Sequence, residues 1–348
     1  MNSAREQDLR YLITVNKTDK ILIAGASGMV GSAIIRNLVK KGYTNLVGTY
    51  HSKLLNEQKD LPIKMVQLDL KNQEAVNHFF KTETPHHVFL AAAKVGGIHA
   101  NNTFPAEFIY DNLIMQTHII HAAYENKVKR LLFLGSSCIY PKHAPQPMKE
   151  EHLLTGLLES TNEPYAIAKI AGIKMCEANN RQYGTRFLAV MPTNLYGPND
   201  NFDLETSHVL PALIRKFHEA RINHAEKVVV WGTGSPRREL LHVDDMADAC
   251  IYIMSLPDAV IDAHLTHYPS PCFVNVGTGI DCTIKELALL VKDQTGFKGG
   301  LEFDTSKPDG TPLKLLDVSR LETLGWKAKI SLETGIRETY DWFVREKG

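Results

Sequence analysis

In the first half of the chain, short runs that are apolar throughout alternate with longer stretches of mixed polarity. The apolar runs are Ile21-Leu22-Ile23-Ala24, Leu46-Val47, Met65-Val66-Gln67-Leu68, Val88-Phe89-Leu90, Leu131-Leu132-Phe133-Leu134 and Phe187 to Val190. Most are separated by segments long enough for helices, such as Met29 to Lys41. Strands buried on both faces and joined by helices predict a parallel sheet covered on each side. The expected fold class is therefore α/β, a doubly wound parallel sheet. After Pro192 the pattern loosens. Helical pieces at Val209 to Arg221, Asp244 to Ser255, Thr283 to Thr295 and Leu332 to Glu346 mix with short strands at Val228 to Trp231, Phe273 to Val276 and Leu301 to Phe303. This half reads as a smaller α/β substrate domain. The expected division is an N-terminal extension over 1–19, a dinucleotide-binding domain over 20–195 with 228–262 returning to it, and a substrate domain over 196–348.

Composition narrows the function classes. Lys plus Arg and Asp plus Glu are both 39, so no net field would hold nucleic acid or an anionic membrane. The apolar runs are far shorter than the ~20 residues needed to span a bilayer. Met1 to Asp19 lacks the small-residue cleavage site of a signal peptide. The five cysteines (Cys138, Cys176, Cys250, Cys272 and Cys282) form no CxxC pair, so neither a disulfide frame nor a metal site is expected. A cytoplasmic location fits this usage.

Gly25-Ala26-Ser27-Gly28-Met29-Val30-Gly31 directly follows the first strand and opens a helix. The first glycine permits a tight turn and the second lets a pyrophosphate approach the backbone. The third lets helix and strand pack closely, and the helix N-terminus faces the phosphates with free N–H groups. In a strand–turn–helix this is a dinucleotide site of Rossmann type, with the GxxGxxG spacing of the short-chain dehydrogenase/reductase superfamily. Enzymes that use NAD place an acid at the end of the second strand. Here that region reads Gly48-Thr49-Tyr50-His51-Ser52-Lys53, with no acid before Glu57. His51 and Lys53 suit a 2′-phosphate, so NADPH/NADP+ is the expected cofactor. A solvated turn is the alternative. Asp69, after the third strand, either contacts adenine or caps the helix that starts near Gln73.

Tyr165 and Lys169 form a YxxxK pair. On a helix they stand one turn apart, with Cβ atoms about 6 Å from each other. An ammonium beside a phenol favours the phenolate and brings its pKa, normally about 10, nearer the working range. Leu134-Gly135-Ser136-Ser137-Cys138 lies at the carboxyl end of a buried strand, where open α/β sheets bind ligands. Residues two apart on a strand end face the same way, so Ser136 and Cys138 are expected to point together. Ser136 can then bond a substrate carbonyl while Tyr165 exchanges the alkoxide proton.

Longer stretches resemble the GDP-L-fucose synthase family. They are Gly96 to Thr103, Leu134 to Lys142, Asn162 to Gly172, Met191 to Pro198, Ser207 to Ala212 and Lys307 to Pro312, and the likeness runs from about Lys20 to about Phe343. The resemblance implies epimerisation at C3 and C5 of GDP-4-keto-6-deoxymannose, followed by reduction of C4 by NADPH. It makes Ser136, Tyr165 and Lys169 the reductase group and Cys138 with His208 the acid/base pair. It also sets Tyr165, Lys169 and His208 on the cofactor, and Lys216, Trp231, Arg238 and Lys314 on the nucleotide sugar. For Arg238 a local ion pair with Glu239 or Asp244 is the competing expectation. Two arginines that the family often carries on the cofactor side are replaced here by Ser27 and Thr49. Other 4-keto nucleotide-sugar reductases or epimerases need Tyr165 and Lys169 but not Cys138 and His208 together. A non-catalytic dinucleotide sensor would need neither pair. Finally, the apolar positions of Ala106 to Tyr124 spread over more than one helix face. A homodimer through the helices around 106–124 and 164–184 is expected.

Overall fold

The computed structural model describes residues 15–307 and 309–347. Most of the expected N-terminal extension, residues 1–14, lies outside the described residues.

Seven parallel strands form the central sheet: β1 (Ile21–Ala24), β2 (Leu46–Tyr50), β3 (Lys64–Gln67), β4 (His87–Leu90), β5 (Arg130–Leu134), β6 (Arg186–Pro192) and a late strand, β10 (Phe273–Val276). Their order across the sheet is β10-β6-β5-β4-β1-β2-β3. Parallel strands require crossovers, and a helix lies between β1 and β2, β3 and β4, β4 and β5, and β5 and β6, whereas only a 3-10 turn (Asn56–Gln58) lies between β2 and β3. These helices are α1 (Met29–Lys40), α2 (Gln73–Glu83), α4 (Pro105–Glu125) and α5 (Glu163–Tyr183), with the short α3 (Ile98–Thr103) before α4. Strands β1, β4 and β5 are buried along their whole length, which is why they read as continuous apolar runs. On α1, Ala33, Ile34, Ile35 and Leu38 are buried against β1 and its neighbours. Burying each large aliphatic side chain there contributes about 1.5–3 kcal/mol.

A second lobe carries β7 (Asn194–Tyr196), β9 (Arg237–His242), β11 (Asp281–Thr283) and β13 (Leu313–Lys314) in one small sheet, with α6 (Val209–Ile222), α9 (Ile284–Thr295) and α11 (Leu332–Glu346) around it. Another pair, β8 (Lys227–Trp231) with β12 (Gly300–Asp304), forms a separate two-stranded sheet. The strand at 228–231 therefore does not rejoin the central sheet. Its burial alternates along Lys227–Trp231, so one face is open. What returns from the 228–262 stretch is helical: α7 (Val243–Met254) packs beside α1, where Arg36 binds Asp244 at 2.9 Å. The helices α8 (Asp258–His264) and α10 (Ser319–Thr323) complete the chain.

Candidate active site

The glycine turn between β1 and α1 is shaped by contacts that exclude side chains. Gly25 has φ +84°, and a Cβ there would lie 2.6 Å from the Ala92 backbone. A Cβ on Gly31 would lie 2.1 Å from the Gly25 carbonyl oxygen, so helix and turn touch directly. Gly28 differs: its Cβ would meet only the Gly25 oxygen, at 3.4 Å, and its outer side is open. No side chain caps α1 at Gly28, which leaves first-turn N–H groups of α1, around Met29 and Val30, for an anion. Ser27 stands half-buried on the same turn. From beneath, the buried Gln58 donates from Nε2 to the Ala26 carbonyl at 2.6 Å, a support that only tertiary contact reveals.

Beyond β2, His51 and Lys53 are exposed, on the side where a second-strand acid would stand. Thr49 is buried inside β2. Asp69 accepts from the Lys71 N–H at 2.9 Å. The helix cap is Asn72, which accepts from Ala75 N at 3.0 Å, so Asp69 does not serve as the cap of α2.

At the end of β5 the chain does not continue as a strand. Ser137–Ile139 form a single 3-10 turn, and Ser136 caps it by accepting from the Cys138 N–H at 3.4 Å. Strand alternation thus does not bring Ser136 and Cys138 together; the turn does, and the Ser136 hydroxyl acts to lower both the Cys138 thiol and the Tyr165 phenol. Tyr165 and Lys169 do share one face of α5. Lys169 Nζ lies 5.7 Å from the Tyr165 ring centroid and 4.8 Å from that of Phe133, and donates to the Leu134 carbonyl at 2.8 Å. Phe108 meets the phenol ring edge-on at 6.2 Å. Burial lowers Lys169 to about 8. Tyr165 is pushed up, mainly by burial and then by the Cys138 charge, against a smaller opposing effect of Ser136. The expected lowering of the phenol by Lys169 is absent here because burial dominates and the ammonium is directed at the Leu134 carbonyl.

Cys138 is raised by burial, and the positive charges of Lys314 and Lys169 oppose that rise. His208 is exposed at the rim of the cleft, yet the protein atoms around its ring desolvate it and lower it, and Lys314 lowers it further. Lys314 is itself lowered by burial, with Cys138 acting against it. Lys314 thus stands within electrostatic reach of both proposed proton carriers. His208 precedes α6 at the end of a strap that runs from β7. Asn199 Nδ2 fastens the strap to Ser32 Oγ of α1 at 3.2 Å, and Gly97 N fastens it to the Thr206 carbonyl at 3.1 Å. Within it, one Asp200 oxygen accepts from Asn201 N at 2.7 Å, while the other is buried without a hydrogen-bond partner. Burial raises this carboxyl to about 7.

On the small lobe, Trp231 is 66% exposed on β8. Lys216 Nζ stands 5.6 Å and Lys307 Nζ 5.5 Å from its ring centroid. Nothing in the sequence marks Lys307 within the stretch Lys307 to Pro312; only the fold brings that loop onto the indole. Asp309 secures that loop, accepting from Thr233 N at 2.9 Å and Thr233 Oγ1 at 2.7 Å. Arg238 makes neither ion pair considered for it. Its guanidinium donates to the Arg237 carbonyl at 2.7 Å and the Thr311 carbonyl at 2.5 Å, and the carboxylate acting on it is Asp309. Glu239 is bound elsewhere, and Asp244 holds Arg36. Among the described residues no group of three His, Cys, Asp or Glu side chains is placed to hold a metal ion, and no helix is long and apolar enough to cross a membrane.

A glycine-turned helix on one face of a doubly wound sheet and a Tyr–Lys helix on the other define a dinucleotide-dependent oxidoreductase of the extended epimerase type. The model of the NAD dependent epimerase/dehydratase family matches residues 21–267. GDP-L-fucose synthase 1 of Arabidopsis thaliana is 56% identical over 95% of this chain and 94% of its own. GDP-L-fucose synthase of Escherichia coli K12 is also 56% identical, over 94% of this chain and 97% of its own. Among solved structures, a GDP-D-glycero-L-gluco-heptose synthase from Campylobacter jejuni, determined in the presence of NADPH, aligns with a TM-score of 0.83 at 40% identity, covering 95% of this chain and 99% of that one. The chain belongs to the NAD dependent epimerase/dehydratase family, in its GDP-L-fucose synthase branch.

Proposed function

We propose that the protein inverts C3 and C5 of GDP-4-keto-6-deoxy-D-mannose and then reduces C4 with NADPH, giving GDP-L-fucose. The observation that carries this reading is the single cluster in which Ser136 caps the turn that holds Cys138 and acts on Tyr165, while Lys314 acts on both Cys138 and His208. A simple ketoreductase has no use for the second half of that cluster.

The C4 ketone acidifies C3–H and C5–H, because the carbanion formed there is an enolate. Ser136 holds the ketone oxygen. Cys138 as thiolate takes a proton from one carbon, and His208 as imidazolium returns one to its opposite face. Desolvation of the buried Cys138 and of the His208 ring leaves both groups neutral at rest, so transfer of a proton from the thiol to the imidazole arms the pair. Lys314 opposes that imidazolium but favours the thiolate. Each inversion ends with the thiol protonated and the imidazole neutral, so the pair must be reset before the second carbon is inverted. In the reduction, Tyr165 gives its proton to the oxygen that becomes the C4 hydroxyl, and Lys169 can favour the phenolate left behind only by turning from the Leu134 carbonyl that it bonds at 2.8 Å. NADPH, when bound, supplies the hydride. The open side of Gly28 and the uncapped α1 N-terminus fit its pyrophosphate; His51 and Lys53 would meet the 2′-phosphate, Asp69 the adenine, and Tyr165, Lys169 and His208 the nicotinamide ribose. On the substrate, Lys216, Arg238 and Lys314 suit the diphosphate and Trp231 the base or sugar.

In this reading 20–195 holds the cofactor and 196–348 the substrate, apart from α7 and β10, which lie on the cofactor sheet. The protein works in the cytoplasm as a homodimer. Support for the dimer comes from α4 and α5, which pack side by side and leave Tyr110 59% and Ile167 39% exposed. A fully active 39.0 kDa species in sedimentation would reject the dimer. The function is tested by incubating purified protein with NADPH and the keto sugar and identifying the product by NMR. Reduction without inversion would leave the reductase and remove the epimerase.

A further inference from the structure

Glu239 is fully buried on β9, yet the chemistry above makes no use of it. Side chains alternate along a strand, so Glu239 faces away from Arg238 and the substrate side. One carboxylate oxygen accepts from Thr278 N at 2.7 Å and Gly279 N at 2.8 Å; the other accepts from Leu316 N at 2.9 Å. Gly277 makes room for it, since a Cβ there would lie 2.1 Å from Oε1. The main chain of Glu239 is also held, its carbonyl accepting from Thr193 Oγ1 at 3.2 Å and Asn194 Nδ2 at 2.9 Å.

The segment tied by Leu316 is the one that carries Lys314. Strand β13 is only Leu313–Lys314, pairing in parallel with Arg237 and Arg238 at the sheet edge. Two residues make too short a ladder to define their own register, and a slip of one residue would turn Lys314 to the opposite face. Anchors stand on both sides of it: Arg237 N on the Pro312 carbonyl at 2.8 Å, then Gln146 Oε1 on Leu315 N at 2.9 Å and Glu239 on Leu316 N. Only a carboxylate fits the Glu239 position, because both oxygens must accept; a glutamine would turn its NH2 toward an N–H.

We propose that Glu239 is a positioning residue: it pins the register of β13 and thereby aims Lys314 at the diphosphate end of the nucleotide sugar. This rests on the GDP-sugar reading above. The test uses the full chain, GDP as the probe by calorimetry, and NADPH by fluorescence titration. Glu239→Gln is expected to weaken GDP binding about tenfold, the loss of one charge-assisted contact, with NADPH affinity within about twofold of wild type. In a Lys314→Ala background the same substitution should cause no further loss of GDP affinity, because its effect passes through Lys314. Losses that multiply in the double variant, or GDP and NADPH weakened alike, would overturn the assignment. Should Glu239→Gln not fold, Gln146→Ala loosens the same segment while sparing the buried carboxylate. It should shift GDP affinity in the same direction, and unchanged binding would overturn the proposal. A wild-type chain that fails to bind GDP would sink the underlying reading, a result distinct from the others.

Discussion

Replacing Gly28 by alanine separates folding from cofactor binding. The backbone at Gly28, φ −79° and ψ 168°, is one that alanine adopts freely, and the new methyl would touch only the Gly25 oxygen at 3.4 Å, an ordinary contact. Removing a glycine from an unstrained site also narrows the unfolded ensemble, a gain of about 0.4–1 kcal/mol. The melting temperature should therefore hold or rise slightly. The methyl occupies the open side that a pyrophosphate must approach, within about 2.9 Å of the backbone N–H groups. Each charge-assisted hydrogen bond lost costs about 1.5–3 kcal/mol, so NADPH affinity should fall roughly ten- to a hundredfold. Gly31→Ala should behave in the opposite way. Its methyl would stand 2.1 Å from the Gly25 oxygen and 2.9 Å from the carbon, so α1 must shift by about an ångström, an overpacking cost of about 3 kcal/mol or more. Thermal melts and NADPH fluorescence titrations on both variants check the pair. Wild-type NADPH affinity in Gly28→Ala would refute the assignment of the turn to the pyrophosphate.

Tyr165→Phe should abolish NADPH oxidation while solvent deuterium still enters C3 and C5, whereas Cys138→Ala should stop the exchange with cofactor affinity unchanged; equal loss of exchange in both would end this division of labour. Lys53→Ala should narrow the preference for NADPH over NADH in parallel titrations, and an unchanged preference would return Lys53 to a solvated turn. Asp200, raised to about 7, holds a proton in the folded state that the unfolded chain releases near 3.8. Stability from this group is therefore present at low pH and lost as pH rises from about 4 to 7, on the order of 2–4 kcal/mol. Asp200→Asn should remove that slope and melt later than wild type at pH 8; a variant that follows the wild-type pH profile of melting would exclude it.

Wherever local composition determines structure, the chain was readable. Strands β1, β4 and β5 are buried end to end, so each appears as an apolar run, preceded in β4 and β5 by the buried His87 and Arg130, and the glycine turn is a local requirement at Gly25 and Gly31. Val228-Val229-Val230-Trp231 looks equally apolar, yet only alternate residues are buried, and composition cannot say which sheet a strand joins. Ser136 to Cys138 reads as a strand end because nothing in the sequence marks where the ladder stops at Leu134. Gln58, Glu239 and Lys307 were missed for a common reason. Each acts on a partner far away in sequence, Ala26, Leu316 and Trp231, and leaves no periodic or spaced signal.

The place of β10 in the chain has a consequence for how the protein can be made. Strand β6 is finished at Pro192, but its outer neighbour is Phe273–Val276, supplied only after β7, α6, β8 and β9 of the second lobe and the helices α7 and α8 have been synthesised. Until then β6 presents an apolar row of unpaired N–H and C=O groups, the kind of edge that recruits other chains. A fragment stopping near residue 195, where the sequence invites a cut, would carry that edge permanently. On the proposed division the two halves are thus separable as functions but not as polypeptides: the half assigned to the cofactor is sealed by a strand that the other half delivers.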